Sequence, residues 1–264
     1  MKKFTILAIL FCSIAAGHLY GEDAPAKPIT PVKQPILVEL FTSEGCSSCP
    51  PADAFLQKLD DTQPIHGAQF IVLSEHVDYF NHDGWTDPYS SHAMTDRQTE
   101  YAHVLRIESP YTPQILVNGT DELHLDQPQQ VIQALGAATA SPVIPVSIGP
   151  INTETKNPLK LQFHVDVDAS SAKHNADIYV AVALDHAASH VLRGENKGHD
   201  LTHVAVVLYL EKIGKLRKGS TFSKDAQVSM KSDMDAKNLR VIVFAQESGQ
   251  GKIIGAAMQK DIMQ

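Results

Sequence analysis

The stretch that decides the reading is Val38-Glu39-Leu40-Phe41-Thr42-Ser43-Glu44-Gly45-Cys46-Ser47-Ser48-Cys49-Pro50-Pro51-Ala52-Asp53. An apolar run from Ile36 to Phe41 predicts a buried strand, and Thr42–Gly45 predicts a turn. Ala52, Phe55, Leu56 and Leu59 then recur at helical spacing, with Asp53 in the first turn, where a carboxylate suits the helix dipole. A Cys-x-x-Cys pair is thus expected between a strand and the start of a helix. Unpaired backbone N–H groups at a helix N-terminus favour a thiolate, so Cys46 is the expected nucleophile and Cys49 the resolving thiol. Pro50 and Pro51 each disfavour helical geometry in the residue before them, so the helix is expected to begin at one of them, not at Ser47.

Outward from this stretch, the N-terminus reads as a leader. Lys2 and Lys3 precede an apolar run from Phe4 to Ala16, too short for a stable membrane anchor of about 20 residues. Residues 1–21 are expected to be a signal peptide cleaved after 17 or 21, leaving no membrane span. The expected location is periplasmic or secreted. Residues 22–35, with Pro25, Pro28, Pro31 and Pro35, read as a linker. Cys12 leaves with the leader, so only Cys46 and Cys49 remain, in an oxidising compartment. Two cysteines can build neither a disulfide scaffold nor a four-Cys zinc site. Their crosslink spans a very small loop and removes little chain entropy, so chemistry is the better reason for it.

The chain has 264 residues with 22 Lys and Arg against 30 Asp and Glu, a net charge of −8. That acidic balance argues against a nucleic-acid partner. Downstream of the Cys pair, Gln69–Ser74 predicts a strand and residues 90–105 a helix. Gln114–Val117 predicts a strand, Asn118-Gly119 a tight turn, Glu122–Leu125 a returning strand and Val131–Ala138 a helix. The order β-α-β-α-β-β-α with Cys-x-x-Cys after the first strand is the thioredoxin pattern, expected over residues 36–140. Beyond Ser141-Pro142 the pattern turns to period two. Leu159, Leu161, Phe163, Val165 and Val167 line one face, and similar alternation recurs at 178–184, 204–210 and 239–243. The expected fold class is an α/β thioredoxin-like domain followed by an all-β sandwich-like domain over 141–264.

Further residues attach to the Cys pair. Tyr111-Thr112-Pro113-Gln114 resembles the loop that enters the third thioredoxin strand through a cis-proline. Pro113 is then expected against Cys-x-x-Cys, with the Thr112 backbone free to pair with an extended substrate. Glu39, in an apolar strand, is expected to move the proton of the second cysteine, as a buried carboxylate does in thioredoxins. His76 and Asp78 follow the second strand at its C-terminal end, where sites of open α/β sheets lie. With Trp85 and Arg97 they are expected to border the Cys pair, His76 as a proton donor or acceptor. His199 and His203, at i and i+4, stand about 13 Å apart on a strand and form no metal pair there. Gly249-Gln250-Gly251 has the wrong spacing for a dinucleotide loop and reads as a hairpin turn.

These segments, with His76-Val77-Asp78-Tyr79, Gly84-Trp85-Thr86-Asp87-Pro88, Arg97-Gln98, Tyr111–Gly119 and Arg193-Gly194-Glu195-Asn196, resemble the secreted bacterial family catalogued as domain of unknown function 1223. The resemblance covers nearly the whole mature chain and implies a thioredoxin-like domain with a β-sandwich behind it. It supplies no substrate. The chain departs from the family's usual residues at Glu75 and Phe80. The expected function is an exported thiol–disulfide oxidoreductase that needs no cofactor and acts on protein or small-molecule thiols and disulfides. One alternative is a Cu(I) carrier using Cys46, Cys49 and His76, since thiolate and imidazole suit a soft ion. The other is a non-catalytic partner-binding module. The resemblance also implies that the Arg193–Asn196 loop docks onto the thioredoxin-like domain or touches a partner.

Overall fold

The computed structural model describes residues 1, 33–154, 158–231, 234–260 and 262. The expected leader and the linker up to residue 32 lie outside the described residues, apart from Met1. The described residues from Lys33 onward form one compact unit.

The first elements are β1 (Gln34–Thr42), α1 (Pro50–Thr62), β2 (Ala68–His76), α2 (His92–Leu105), β3 (Gln114–Val117), β4 (Asp121–Leu123) and α3 (Pro128–Thr139). They are followed by β5 (Val146–Ile148), β6 (Asn152–Glu154), β7 (Leu159–Asp168), β8 (Ala176–His190), β9 (Asp200–Leu216), β10 (Thr221–Met230), β11 (Leu239–Glu247) and β12 (Ile253–Gln259). Proline opens α1, where its missing N–H costs nothing, and Gln63 closes it in the left-handed region. Ser91 caps α2 through its side chain. The Gly249-Gln250-Gly251 segment joins the antiparallel pair β11 and β12 as a turn.

The expected fold class is overturned. The structure is mostly β, and β1–β4 do not close into a thioredoxin-like α/β domain of their own. They form one half of a mixed eight-stranded sheet of order β12-β11-β8-β9-β2-β1-β3-β4. The junction is a parallel bridge between Ser74 on β2 and Val206 on β9. A second sheet, β10-β7-β5 with β6 paired to β7, covers part of the large one. The physical cause lies in β8, β9 and β11. His203–Val207 and Arg240–Ala245 are buried without alternation, and so is Val180–Ala183. Strands that bury both faces need a partner layer on each side. On one side Ile178, Val180, Val182, Val241 and Val243 pack against Leu161, Phe163 and Val165 of β7. On the other, Ala181, Ala183, Val204, Val207, Ile242 and Phe244 share a core with Ile36, Val38, Leu56 and Val72. One hydrophobic core therefore runs through both halves of the sequence.

The halves are also tied by polar contacts. The Asn118 carbonyl accepts from the Ile253 N–H at 2.8 Å. Buried Arg240 of β11 forks onto Asp60 of α1 at 3.1 and 3.0 Å and also engages Asp185 of β8. Lys260 joins the same Asp60 at 2.9 Å.

Candidate functional site around the Cys pair

β1 ends at Thr42, and its continuation turns back toward α1 with the Cys46 N–H on the Ser43 carbonyl at 3.1 Å. Cys46 and Cys49 form a disulfide with Cα atoms 5.4 Å apart. Cys49 is the N-cap of α1, and its carbonyl accepts from Ala52 and Asp53 at 2.8 and 3.1 Å. The helix thus starts at Pro50, so Cys46 lies before the first turn and not within it. The Thr112–Pro113 peptide bond is cis. Pro113 lines a cavity of about 230 Å³ together with Ser48, Pro51, Ala52, Leu123, His124 and Asp126. The cis-proline loop and the Cys segment therefore meet at one surface. The Thr112 hydroxyl is buried with no partner among the described residues.

Beneath the Cys segment lies a buried polar cluster centred on Glu44. Its Oε2 accepts from Trp85 Nε1 at 2.8 Å and its Oε1 lies 3.3 Å from His203 Nε2. Its N–H donates to Asp87 Oδ2 at 2.9 Å. Asp87 Oδ2 also meets His76 Nδ1 at 2.7 Å. The His76 and His203 rings cross edge to face, with centroids 4.6 Å apart. His203 Nδ1 stands 3.5 Å from Asp53 Oδ1, an ion-pair contact short of hydrogen-bond geometry. The Thr42 hydroxyl donates to the other oxygen of Asp53 at 3.2 Å. Burial alone would lower the His203 pKa, but the adjacent carboxylates of Asp53 and Glu44 outweigh it and raise the value to about 9. Burial works to raise the Asp87 carboxyl too, yet the His76 contact holds it below its ordinary value.

The other expected site residues go elsewhere. Side chains alternate along β1, so Glu39 and Thr42 face opposite ways. Thr42 meets α1. Glu39 accepts from Arg97 Nε of α2 at 2.8 Å and from the Tyr101 hydroxyl at 2.6 Å. Arg97 also engages Gln246 of β11 at 3.3 Å and lies 3.5 Å from Glu75. Asp78 accepts from the Thr95 hydroxyl at 2.6 Å and meets His92 at 3.1 Å, which ties it to the start of α2. Of the expected residues, Cys46, Cys49, Pro113, His76 and Trp85 gather around the Cys segment, with Thr112 leading into Pro113. Glu39, Arg97 and Asp78 serve α2.

Sequence reasoning missed Glu44, Asp53, Asp87 and His203 as a set. Glu44 and Asp53 sit inside the quoted motif. The signal for His203 was its place at the head of the apolar run Val204–Val207, where a histidine must find buried partners. Among the described residues no group of three or more His, Cys, Asp or Glu is arranged to hold a metal ion.

The chain belongs to the family described as protein of unknown function (DUF1223), whose model matches residues 37–246. A crystallographically solved protein of Agrobacterium tumefaciens is 26% identical, with a TM-score of 0.62 over 86% of this chain and 94% of that one. That similarity spans both halves of the eight-stranded sheet. HBP35 of Porphyromonas gingivalis, 15% identical, shares the fold with a TM-score of 0.61 over 86% of this chain and 75% of its own. No curated protein matches the chain.

Proposed function

We propose that this protein is an exported thiol–disulfide oxidoreductase whose Cys46–Cys49 pair exchanges with protein or small-molecule thiols and disulfides. The observation that carries the reading is a disulfide closed over two residues at the head of α1, beside the cavity that Pro113 lines. Such a short crosslink adds little stability, so chemistry is its best reason to exist. In the reaction a substrate thiolate attacks Cys46 Sγ, the bond to Cys49 breaks, and Cys49 leaves as a thiolate. A second substrate thiol then displaces Cys46 from the mixed disulfide. Two substrate thiols become one disulfide, and the Cys pair takes up their two electrons and two protons. The reverse reaction uses the same steps. Export is supported by Lys2, Lys3 and the apolar run Phe4–Ala16. Among the described residues no helix is long and apolar enough to cross a membrane.

The test is covalent trapping. The reduced Cys49→Ser variant, mixed with oxidised glutathione, is expected to gain one glutathionyl adduct on Cys46 by mass spectrometry. A thiol that forms no adduct in the folded variant overturns the proposal.

A further inference from the structure

The disulfide is nearly closed off. Cys46 is 3% exposed and Cys49 is fully buried, although Ser47 and Ser48 between them face solvent. The loop between β8 and β9 lies against this segment. Buried Asn196 donates its amide to the Glu44 carbonyl at 2.8 Å and to the Cys46 carbonyl at 3.0 Å. The Glu195 carboxylate accepts from the Ser47 N–H at 3.2 Å. The loop is itself pinned at its neck, with the Gly198 N–H on the Val191 carbonyl at 2.7 Å and the Val191 N–H on the His199 carbonyl at 3.0 Å. Its flank rests on Trp85: a Cβ placed on Gly194, which has φ +78°, would stand 3.1 Å from Trp85 Cβ. At Gly45 the Cys segment is equally tight, since a Cβ there would stand 2.9 Å from Phe80 Cβ. The segment is thus held between the Phe80–Trp85 stretch and the β8–β9 loop.

We infer that Glu195 and Asn196 are specificity-determining residues, which admit a slender low-molecular-weight thiol to Cys46 and exclude a thiol carried on a folded polypeptide. The inference rests on the redox reading above and names its substrate class. A polypeptide partner pairs its backbone with free main-chain groups beside the disulfide. Here the Ser47 N–H and the Cys46 carbonyl are already taken by the loop. The adjoining cavity of about 230 Å³ lies below the range of about 300–1,000 Å³ typical of larger ligands. A small thiol needs only a path to one sulfur.

The experiment compares stoichiometric reduction of the oxidised protein by dithiothreitol and by a reduced thioredoxin. Wild type is expected to react with dithiothreitol and no faster with thioredoxin. Asn196→Ala is expected to raise the thioredoxin rate about tenfold, the effect of losing one or two hydrogen bonds that hold the loop closed. The same variant should change the dithiothreitol rate by less than about threefold. Glu195→Ala, at an exposed position that leaves the core intact, should move the ratio the same way and decides the matter if Asn196→Ala does not fold. A rate ratio unchanged in the folded variants overturns the inference. So does a wild-type disulfide that reacts with neither reductant, or that thioredoxin reduces far faster than dithiothreitol. Because this reduction needs no turnover, a shifted ratio without an adduct in the Cys49→Ser experiment keeps the loop's role and discards the redox function.

Discussion

Two buried clusters use the same ingredients and differ in what they reach. In one, Arg97 is enclosed by Glu39, Glu75, Tyr101 and Gln246, with its guanidinium carbon 5.0 to 5.6 Å from the rings of Tyr101, Tyr179 and Phe244. In the other, Glu44 is enclosed by Trp85, His203, Asp87 and the β8–β9 loop. Each takes residues from both halves of the sheet. The first is self-contained: one cation faces two carboxylates, and burial together with the charge of Glu39 pushes Glu75 well above the usual carboxylate range. The second touches the backbone of the Cys segment itself. A carboxylate in the right strand is therefore not enough for a role in thiol chemistry; the face it occupies decides its partners.

The comparison breaks most easily at Arg97. Arg97→Met should leave buried carboxylates without their cation and cost about 3–5 kcal/mol in denaturant unfolding. A loss under about 1 kcal/mol would mean the cluster is held by packing alone. His203→Gln comes next. The raised His203 pKa contributes stability that is fully present below the ordinary histidine value near 6.5 and is lost as pH rises through about 9. The loss across that window is expected to be on the order of 3 kcal/mol at most. The variant should show a flat profile there, and a wild type equally flat would refute the assignment. Replacing both cysteines by serine should cost no more than about 2 kcal/mol, because the closed loop is so short. A larger loss would make the disulfide a structural staple. Smallest of all, Glu195→Ala should change unfolding free energy by less than about 1 kcal/mol, since it removes one exposed hydrogen bond. Its effect belongs in the rate ratio instead.

Local structure was legible in the sequence to a high degree. The strand before Cys46, the helix opening at a proline, the Asn118-Gly119 turn and the alternation of β7 all follow from spacing and turn chemistry. The fold class did not follow. Period two says that a strand has two faces but not which strand lies beside it. Leu159–Asp168 alternates buried and open positions, as a half-covered strand does. Val204–Val207 does not alternate, and that unbroken apolar run was the sign that β9 is sandwiched between layers. Reading it as another half-buried strand separated the halves that β9 joins. The same error hid His203, whose partners Glu44 and Asp53 lie far away in sequence. The Cys pair and Pro113 were legible because their spacing carries local chemistry. Glu39 was assigned by strand position, and only the register with α2 and β11 reveals that Arg97 holds it.

The most direct test of the central claim is the equilibrium reduction potential of Cys46–Cys49, measured by trapping thiols across glutathione and dithiothreitol series. The account predicts a value between about −120 and −270 mV, the range of dithiols that exchange with substrates. A value below about −300 mV would mark a disulfide kept for structure and contradict it.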